Sequence, residues 1–356
     1  MTATAAARQQ TPRRRVRRLG AIAAGTLLVG ACASAGQSLE TEPEVMVTRV
    51  ESALHAPVWS YREHALVALT DDQRVAVLAD PANSGNVRMR LSPPMAAGRN
   101  IQISRKDDNQ LYVPQPKSGV VAVVDLTSLR PVGSVDAGPA PAYLAEDAGM
   151  RILLALSADG TTVTPVEEYG YRKLPAATIA GAPAHSIDGT NRGRSIEYQA
   201  YSPSGIRHYK GSSSPPELRG VIGMDVTVSA GDGTQVARSY VAGRDDNTLY
   251  AVDSRRGGKG LEVLGTAELP AALREIGTDD TRIYAATNRQ LVVLETASFT
   301  GYPGKKIPII RVVDYRAGLP GSSRSAPLSG LAVGPHRVYL TLRGTPYVVS
   351  VAKPRL

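Results

Sequence analysis

Acidic pairs are the residues of this chain whose type and spacing most readily suggest chemistry. Neighbouring carboxylates serve as general acid and base in many enzymes, and they also bind divalent cations. Here, however, each pair precedes a short run of β-forming residues and such runs recur along the chain, whereas a catalytic or metal site is built once. Asp side chains cap their own backbone in tight turns. We therefore interpret the pairs as hairpin turns; they are Asp71-Asp72, Asp107-Asp108, Asp245-Asp246 and Asp279-Asp280.

The histidines do not indicate a catalytic or metal centre either. They are scattered, and no two of them have the spacing of metal ligands. The Gly-x-Ser-x-Gly elbow, the His-Glu-x-x-His pair, the phosphate loop and the Gly-x-Gly-x-x-Gly turn do not occur in the sequence. We predict no catalytic residue, no metal and no cofactor, and whether the protein is an enzyme stays open. The five histidines are His55, His64, His185, His208 and His336.

Cys32 is the single cysteine, and it follows a segment with the composition of an export signal. Arginines, without any acidic residue, come first, and about a dozen small and apolar residues from Leu19 to Ala31 follow them. This apolar run is shorter than the roughly 20 residues that cross a bilayer. Residues 1–31 are therefore predicted to be a signal peptide.

The residues at the expected cleavage point, Val29-Gly30-Ala31-Cys32, resemble the lipobox of bacterial lipoproteins. The resemblance implies that the Cys32 thiol carries a lipid, with fatty acids such as palmitate, and becomes the first residue of the mature protein. It also implies an extracytoplasmic protein, lipid-anchored at the outer face of the cytoplasmic membrane. A plain secretory leader with an incidental cysteine is the alternative, and the choice between Sec and twin-arginine export stays open.

Residues 32–44 are small, polar and acidic without an apolar period, and we predict that they form a flexible tether. At roughly 5–6 Å × √n, about a dozen such residues hold the body near 20 Å from the bilayer.

Removal of the leader also removes most of the positive charge. Six of the 41 basic residues lie in the leader, which leaves 35 against 32 acidic residues. A nearly neutral body gives little support for nucleic-acid binding, which needs a clustered basic face, and no nucleic-acid partner is predicted. The abundance of Arg and Ala suggests a GC-rich, actinobacterial source.

Residues 45–356 have the pattern of an all-β domain, with short alternating runs between Gly, Pro, Asp and Asn turns. A turn followed by an aliphatic residue recurs about every 44 residues. A four-stranded propeller blade takes roughly 40–45 residues. We therefore predict a single β-propeller of seven four-stranded blades. The recurring aliphatic residues are Val75, Leu111, Ile152, Ile196, Leu249, Ile283 and Val338, and Tyr112, Tyr250, Tyr284 and Tyr339 follow four of them and are expected to pack between blades.

A second repeated element, Ala-Pro or a close variant, precedes most of the turns. Proline is tolerated where a strand begins, because its missing N–H costs no ladder bond there. We expect each element to lie at the start of a blade's innermost strand, beside the central channel. The second residue after each proline varies most, and the candidates for ligand contact at the channel mouth are Trp59, Tyr143, His185 and Ser329.

The segment from Asp108 to Leu126 resembles a YVTN-type propeller repeat, in which a Tyr-Val strand, a turn and a Val-x-Val-Val-Asp strand follow one another. With the leader, the chain resembles the YVTN-like propeller lipoproteins of Gram-positive bacteria. The resemblance implies a non-enzymatic binding or scaffold module at the cell envelope, with a membrane contact through the lipid on Cys32 and an unidentified protein, glycan or small-molecule partner. The alternative is a propeller hydrolase, lactonase-like, or a quinone-dependent enzyme.

Two further expectations concern the ring. The final repeat offers three clear strands, so we predict that the strand-like stretch from Glu44 to Val50 completes the last blade, because closure removes an unpaired edge. The stretches 202–216 and 318–325 are rich in Pro, Ser and Gly and are expected to be surface loops.

Overall fold

Short strands joined by tight turns account for almost all of the regular structure in the computed structural model. The model describes residues 43–82, 87–190, 194–211, 215–234, 237–254 and 260–354. The predicted leader, Cys32 and most of the predicted tether therefore lie outside the described residues. No helix in these described ranges is both long and apolar enough to cross a membrane.

The strands β1 to β29 are, in chain order, Val45–Arg49, Leu54–Ser60, Ala65–Thr70, Val75–Ala79, Met89–Leu91, Gln102–Ile103, Gln110–Gln115, Val120–Asp125, Arg130–Asp136, Pro141–Asp147, Ile152–Ser157, Thr162–Glu167, Arg172–Lys173, Ala177–Thr178, Ser186–Gly189, Ile196–Ser202, Gly205–Gly211, Glu217–Ile222, Val228–Gly231, Arg238–Ala242, Thr248–Ser254, Leu261–Glu268, Leu273–Thr278, Arg282–Thr287, Gln290–Glu295, Ile309–Asp314, Leu328–Val333, Arg337–Leu342 and Tyr347–Ala352. Short 3₁₀ turns lie at Pro303–Lys305 and Gly321–Ser325.

The strands form seven antiparallel sheets, and each sheet is one blade of a β-propeller. Blades 1 to 6 are β2–β5, β6–β9, β10–β14, β15–β18, β19–β22 and β23–β26, and blade 7 joins β27–β29 to β1. In blade 3 two short strands, β13 and β14, share the outer edge. The prediction of an all-β, seven-bladed propeller is confirmed.

The first strand of each blade is the innermost one. These first strands contact one another in turn around the ring, from β2 through β6, β10, β15, β19, β23 and β27 back to β2. Second strands such as β3 and β11 are buried along their whole length, because neighbouring blades cover both of their faces. Their continuous apolar runs follow from this double burial, and one cluster between blades 1 and 2 joins Val67 and Val77 to Leu111 and Val124.

The N-terminal strand closes the ring, as predicted. β1 pairs antiparallel with β29, with Val45 opposite Val351 and Val47 opposite Val349. The start of this strand is also held by side chains: Arg337, which is buried, donates a hydrogen bond from Nη2 to the Pro43 carbonyl at 2.9 Å. The last blade thus takes strands from both ends of the body.

Two of the seven predicted repeat positions are one strand out of register. Val75 and Leu249 lie in the third strands β4 and β21, whereas the other five aliphatic residues lie in second strands. The same hairpin chemistry, an Asp-rich turn before an aliphatic strand, occurs at more than one corner of a blade, so the turn alone does not identify the corner. Measured between the starts of the second strands, the spacings become 45, 42, 44, 42, 44 and 55 residues.

The same register error affects the tyrosines. Tyr250 lies in a third strand. In five other cases the third residue of a blade's second strand is a buried tyrosine. Three of their hydroxyls donate to the residue that follows the innermost strand, as in Tyr284 to Asp279 Oδ2 at 2.8 Å. These bonds fasten the second strand to the end of the first. The five tyrosines are Tyr112, Tyr198, Tyr240, Tyr284 and Tyr339.

The predicted loop at 202–216 is largely a hairpin, and that expectation is wrong. β16 ends at Ser202, and β17 begins at Gly205. His208 is buried, with Nε2 2.8 Å from Glu197 Oε1, and the Lys210 Nζ lies 3.0 Å from Glu197 Oε2. Polar residues are tolerated within this sheet because their partner stands on the adjacent strand. The second predicted loop, 318–325, does connect blade 6 to blade 7.

Closure yields a stability prediction. Val47→Asp places a carboxylate in β1 against the partly buried seam between blades 6 and 7, and we expect it to lower the free energy of unfolding by about 2 kcal/mol or more. Val132→Asp, on the exposed outer strand β9, is the matched control and is expected to change it by about 0.5 kcal/mol or less. Urea unfolding of both variants measures the difference, and equal losses would contradict the role of β1.

Candidate functional site

The central channel has an upper mouth, where the innermost strands begin, and a lower mouth, where they end. At the upper mouth a cavity of about 640 Å³ lies among blades 2 to 6. Residues from five blades line it, and those used below are Arg99, Tyr143, His185, Arg244, Arg274 and Glu275.

β-Bulges aim two of these side chains. The register of the innermost strands shifts between Pro141 and Tyr143 in blade 3 and between Leu273 and Glu275 in blade 6. A bulge inserts a residue and redirects the side chains around it. Tyr143 and Glu275 therefore occupy the same position in two different blades and line the same cavity.

Three arginines from three blades reach this cavity. Arg99 comes from the segment before β6, Arg244 from the turn after β20 and Arg274 from the bulge of β23. The Arg99 guanidinium carbon lies 5.6 Å from the centre of the Tyr143 ring, and its Nη1 donates to the His185 carbonyl at 2.6 Å. Arg274 Nη1 donates to the Arg244 carbonyl at 3.0 Å. Arg274 Nη2 also lies 4.0 Å from the exposed Asp245 Oδ1. These contacts use only part of the donor capacity of the Arg99 and Arg274 guanidinium groups.

His185 is held in place by both ring nitrogens. Nε2 lies 2.6 Å from the Val226 carbonyl, and Nδ1 lies 2.9 Å from Ser186 Oγ. The carbonyl only accepts, so Nε2 carries the proton; in the neutral ring Nδ1 then accepts from the serine hydroxyl. The ring is thus a fixed part of the cavity wall.

Burial changes the protonation of two channel carboxyl groups. Burial raises the pKa of Glu275 to about 7, against an opposing effect of the Arg343 charge. Burial likewise raises the pKa of Asp188, on β15, to about 6, although hydrogen bonds from Tyr201 and Ser229 oppose the change. Burial and the charges of these two carboxylates raise the pKa of Tyr143. Near neutral pH, Glu275 is therefore present in both protonation states.

Ser329 and Trp59 take different places from the other two predicted contacts. Ser329 lines an adjoining part of the upper channel, where its Oγ donates to the Leu54 carbonyl at 2.7 Å and joins blade 7 to blade 1. Trp59 lies at the lower mouth, buried, with its ring stacked on Tyr339 at 5.0 Å between centroids. Tyr143 and His185 share the 640 Å³ cavity.

The lower mouth carries charges of both signs. Lys353 Nζ lies 2.6 Å from Asp279 Oδ2. Close by, Glu146 and Glu168 are buried, and burial together with the Glu168 charge raises the pKa of Glu146. Arg105 Nε stands 3.5 Å from Glu146 Oε2. Within the described ranges, no group of three or more His, Cys, Asp or Glu side chains is placed to hold a metal ion.

Sequence reasoning did not identify the three arginines, Glu275 or Asp188 as site residues. Asp188 lies within the innermost strand β15. Glu275 is not the second residue after a proline. Pro270 lies three residues before β23, whereas Pro141 is itself the first residue of β10. The bulges of the innermost strands, rather than the prolines, identify the equivalent positions. Glu275 and Tyr143 each follow a bulge, and both line the cavity.

Comparison with known proteins supports the fold alone. No protein-family model matches the chain, and no curated protein matches it. Among solved structures, the "Structure of U3-55K" has a TM-score of 0.64 at 11% identity and covers 87% of this chain and 98% of that one. A chain of the "Crystal Structure of Mitotic Checkpoint Complex" has a TM-score of 0.65 at 13% identity, covering 97% and 100%. The "Crystal structure of RRP9 WD40 repeats" gives 0.63 at 11% identity, covering 87% and 97%. These likenesses show a β-propeller.

The raised pKa of Glu275 predicts a stability change with pH. A glutamate in an unfolded chain ionises near pH 4.3, but in the folded protein it ionises near pH 7. The folded state holds this proton longer, so its contribution to stability is full below about pH 4 and is lost as pH rises to about 7. Glu275→Gln is expected to reduce the loss between pH 5 and pH 8 by about 1–3 kcal/mol. Thermal unfolding at both pH values measures it, with Glu217→Gln on β18 as the exposed control; an unchanged pH slope in Glu275→Gln would refute this role.

Proposed function

We propose that this protein is an extracytoplasmic lipoprotein, anchored by a lipid on Cys32 to the outer face of the cytoplasmic membrane, whose propeller binds an anionic ligand at the upper mouth. The convergence of Arg99, Arg244 and Arg274 on one cavity carries the ligand part of this proposal. The propeller then acts as a binding or scaffold module.

Several features of the cavity support an anionic ligand. A guanidinium offers paired donors that match the two oxygens of a carboxylate or a phosphate. The acidic residue in the same wall, Glu275, loses much of its negative charge because its pKa is raised to about 7. A protonated Glu275 also donates a hydrogen bond. The wall therefore combines cationic donors with a partly protonated acid and the Tyr143 hydroxyl.

The leader supports the anchored location. The lipobox-like sequence before Cys32, the arginine-rich start and the polar stretch before the first blade form the order expected of a lipoprotein. The assignment to YVTN-like propeller lipoproteins of Gram-positive, actinobacterial bacteria forms part of the same proposal, and it rests on the Leu111-Tyr112-Val113 and Val120–Asp125 strands of blade 2.

The mixture of arginine, tyrosine and fixed histidine at the upper mouth favours binding over the hydrolase alternative. Propeller folds serve both functions, so the fold does not separate them. A panel of lactones, assayed with and without added divalent cations, tests the hydrolase directly. Metal-dependent turnover would overturn the binding proposal.

Loss of the cysteine thiol tests the anchor. Cys32→Ala removes the only thiol to which a lipid is attached, and we expect the protein to move from the membrane fraction to the medium and to lose metabolic labelling with palmitate. Wild-type protein from the same cells is the reference. Palmitate labelling that persists in the variant would contradict a lipid on Cys32, and a parallel pull-down of both forms identifies what co-purifies.

Loss of one arginine tests the ligand site. Arg274→Gln is expected to weaken binding of inorganic phosphate or a hexuronate by roughly 10-fold, because a hydrogen bond to a charged group contributes about 1.5–3 kcal/mol. Lys117→Gln, on an exposed turn of blade 2 outside the cavity, is the matched control. Isothermal titration, with glucose as the neutral comparison, measures both. Equal affinities of the two variants would show that Arg274 does not bind the anion.

A further inference from the structure

Exposed apolar side chains concentrate at one edge of the propeller. Phe299, the only phenylalanine, has 75% of its surface exposed, and Ile309, Ile310 and Val312 of β26 are 44%, 39% and 44% exposed. Edge strands are normally blunted by charge, because an exposed apolar edge invites aggregation. We call this surface the blade 6 edge and define it as Phe299, Lys305, Lys306, Ile309, Ile310 and Val312.

The chain enters the propeller beside this edge. Glu44, directly before β1, forms an ion pair with Arg311 in the middle of β26. The Pro43 carbonyl accepts a hydrogen bond from Arg337, and the Glu44 carbonyl accepts one from the Ala352 N–H at 2.8 Å. The first described residues are therefore fixed against the outer side of blades 6 and 7.

The length of chain before Pro43 limits the distance to an anchor. Ten residues separate Cys32 from Pro43, and a fully extended chain covers at most about 3.3–3.6 Å per residue. A lipid on Cys32 thus holds Pro43 within about 40 Å of the bilayer, and closer on average.

Two exposed lysines favour an anionic membrane surface at the edge, and they outnumber the exposed carboxylate of Glu295, which lies beside it. Lys305 and Lys306 are exposed at the end of the 3₁₀ turn that leads into β26, next to Ile309 and Ile310. Basic residues beside apolar ones are the combination that binds anionic lipid surfaces, the apolar groups entering the interface and the lysines meeting the headgroups.

We propose that the blade 6 edge lies against the anionic lipid surface of the membrane to which the protein is anchored. This inference rests on the proposed anchor at Cys32. β26 begins at the lower side of the ring, since β24 starts there and the strands of a blade alternate in direction. The edge and the chain start are thus on the lower side, and the upper mouth with its arginines opens away from the bilayer.

The full lipidated protein in phosphatidylglycerol-containing vesicles allows a direct test. A lipid on Cys32 leaves no free thiol, so Ile310→Cys and Val132→Cys each provide one labelling site. Val132 is the matched control, because it lies near the start of the outer strand of blade 2 and is 61% exposed. An environment-sensitive fluorophore at position 310 is expected to shift to the blue and brighten on vesicles, while at position 132 it keeps its aqueous spectrum. An aqueous spectrum at position 310 on floated vesicles overturns the proposal.

A second measurement separates the edge from the anchor. Failure of the wild-type protein to float with vesicles counts against the lipid on Cys32, not against the edge. The edge is then tested on Cys32→Ala protein by co-sedimentation with the same vesicles. Lys305→Gln with Lys306→Gln is expected to weaken that binding roughly 10-fold or more. Lys117→Gln with Arg130→Gln, at two exposed positions of blade 2, is expected to leave it unchanged. Equal binding of the two double variants overturns the proposal that the blade 6 edge lies against the lipid surface.

Discussion

The backbone pairing of β1 with β29 is the constraint on which the rest of the structure depends. Each blade buries its second strand between two neighbours, so every blade needs a neighbour on both faces. Without β1, the last blade keeps three strands and an unpaired edge at β29. With β1 in place, Thr48 Oγ1 donates to the Pro81 carbonyl of blade 1 at 3.0 Å, and the chain continues from β1 into β2 of that blade. Closure thus ties the last blade to the first, and the innermost strands of all seven blades surround one channel.

The upper mouth shows how a rigid ring makes a site from distant segments. The innermost strands approach the axis, and bulges in blades 3 and 6 turn Tyr143 and Glu275 into the same space. Hydrogen bonds to main-chain carbonyls then hold Arg99, Arg274 and His185. The cavity needs no rearrangement to present these groups, which lowers the entropic cost of binding a ligand.

The position of the closing strand also bears on the two contacts proposed above, one with the membrane and one with a ligand. Because β1 begins at the lower side of blade 7, Glu44 lies beside the blade 6 edge, on the side of the ring opposite the arginines of the upper mouth. The proposed membrane contact and the proposed ligand site therefore lie on opposite sides of the ring and do not compete for surface. The net charge of the body is nearly neutral and does not indicate either place, because the basic groups are local: arginines at the upper mouth and lysines at the blade 6 edge.

Much of the fold was predictable from the sequence because its signals are local. Asp-rich turns cap their own backbone, as Asp279 Oδ1 does for the Thr281 and Arg282 N–H groups, and strands between such turns repeat at the length of a blade. The incomplete last repeat predicted the closing strand. The same local signals could not show which corner of a blade a turn occupies, so Val75, Leu249 and Tyr250 were assigned one strand out of register.

The site was only partly predictable, because it forms between segments that are far apart in the chain. Tyr143 and His185 were predicted because each lies two residues after a proline, Pro141 at the start of β10 and Pro183 shortly before β15. Arg99, Arg244 and Glu275 carry no such mark and meet only when blades 2, 5 and 6 surround one axis. Thus the sequence by itself determined the strand pattern and the number of blades, since these depend on composition and short-range periodicity. The tertiary structure alone decided which side chains share the channel and how their charges are balanced, because both depend on bulges, ring closure and burial.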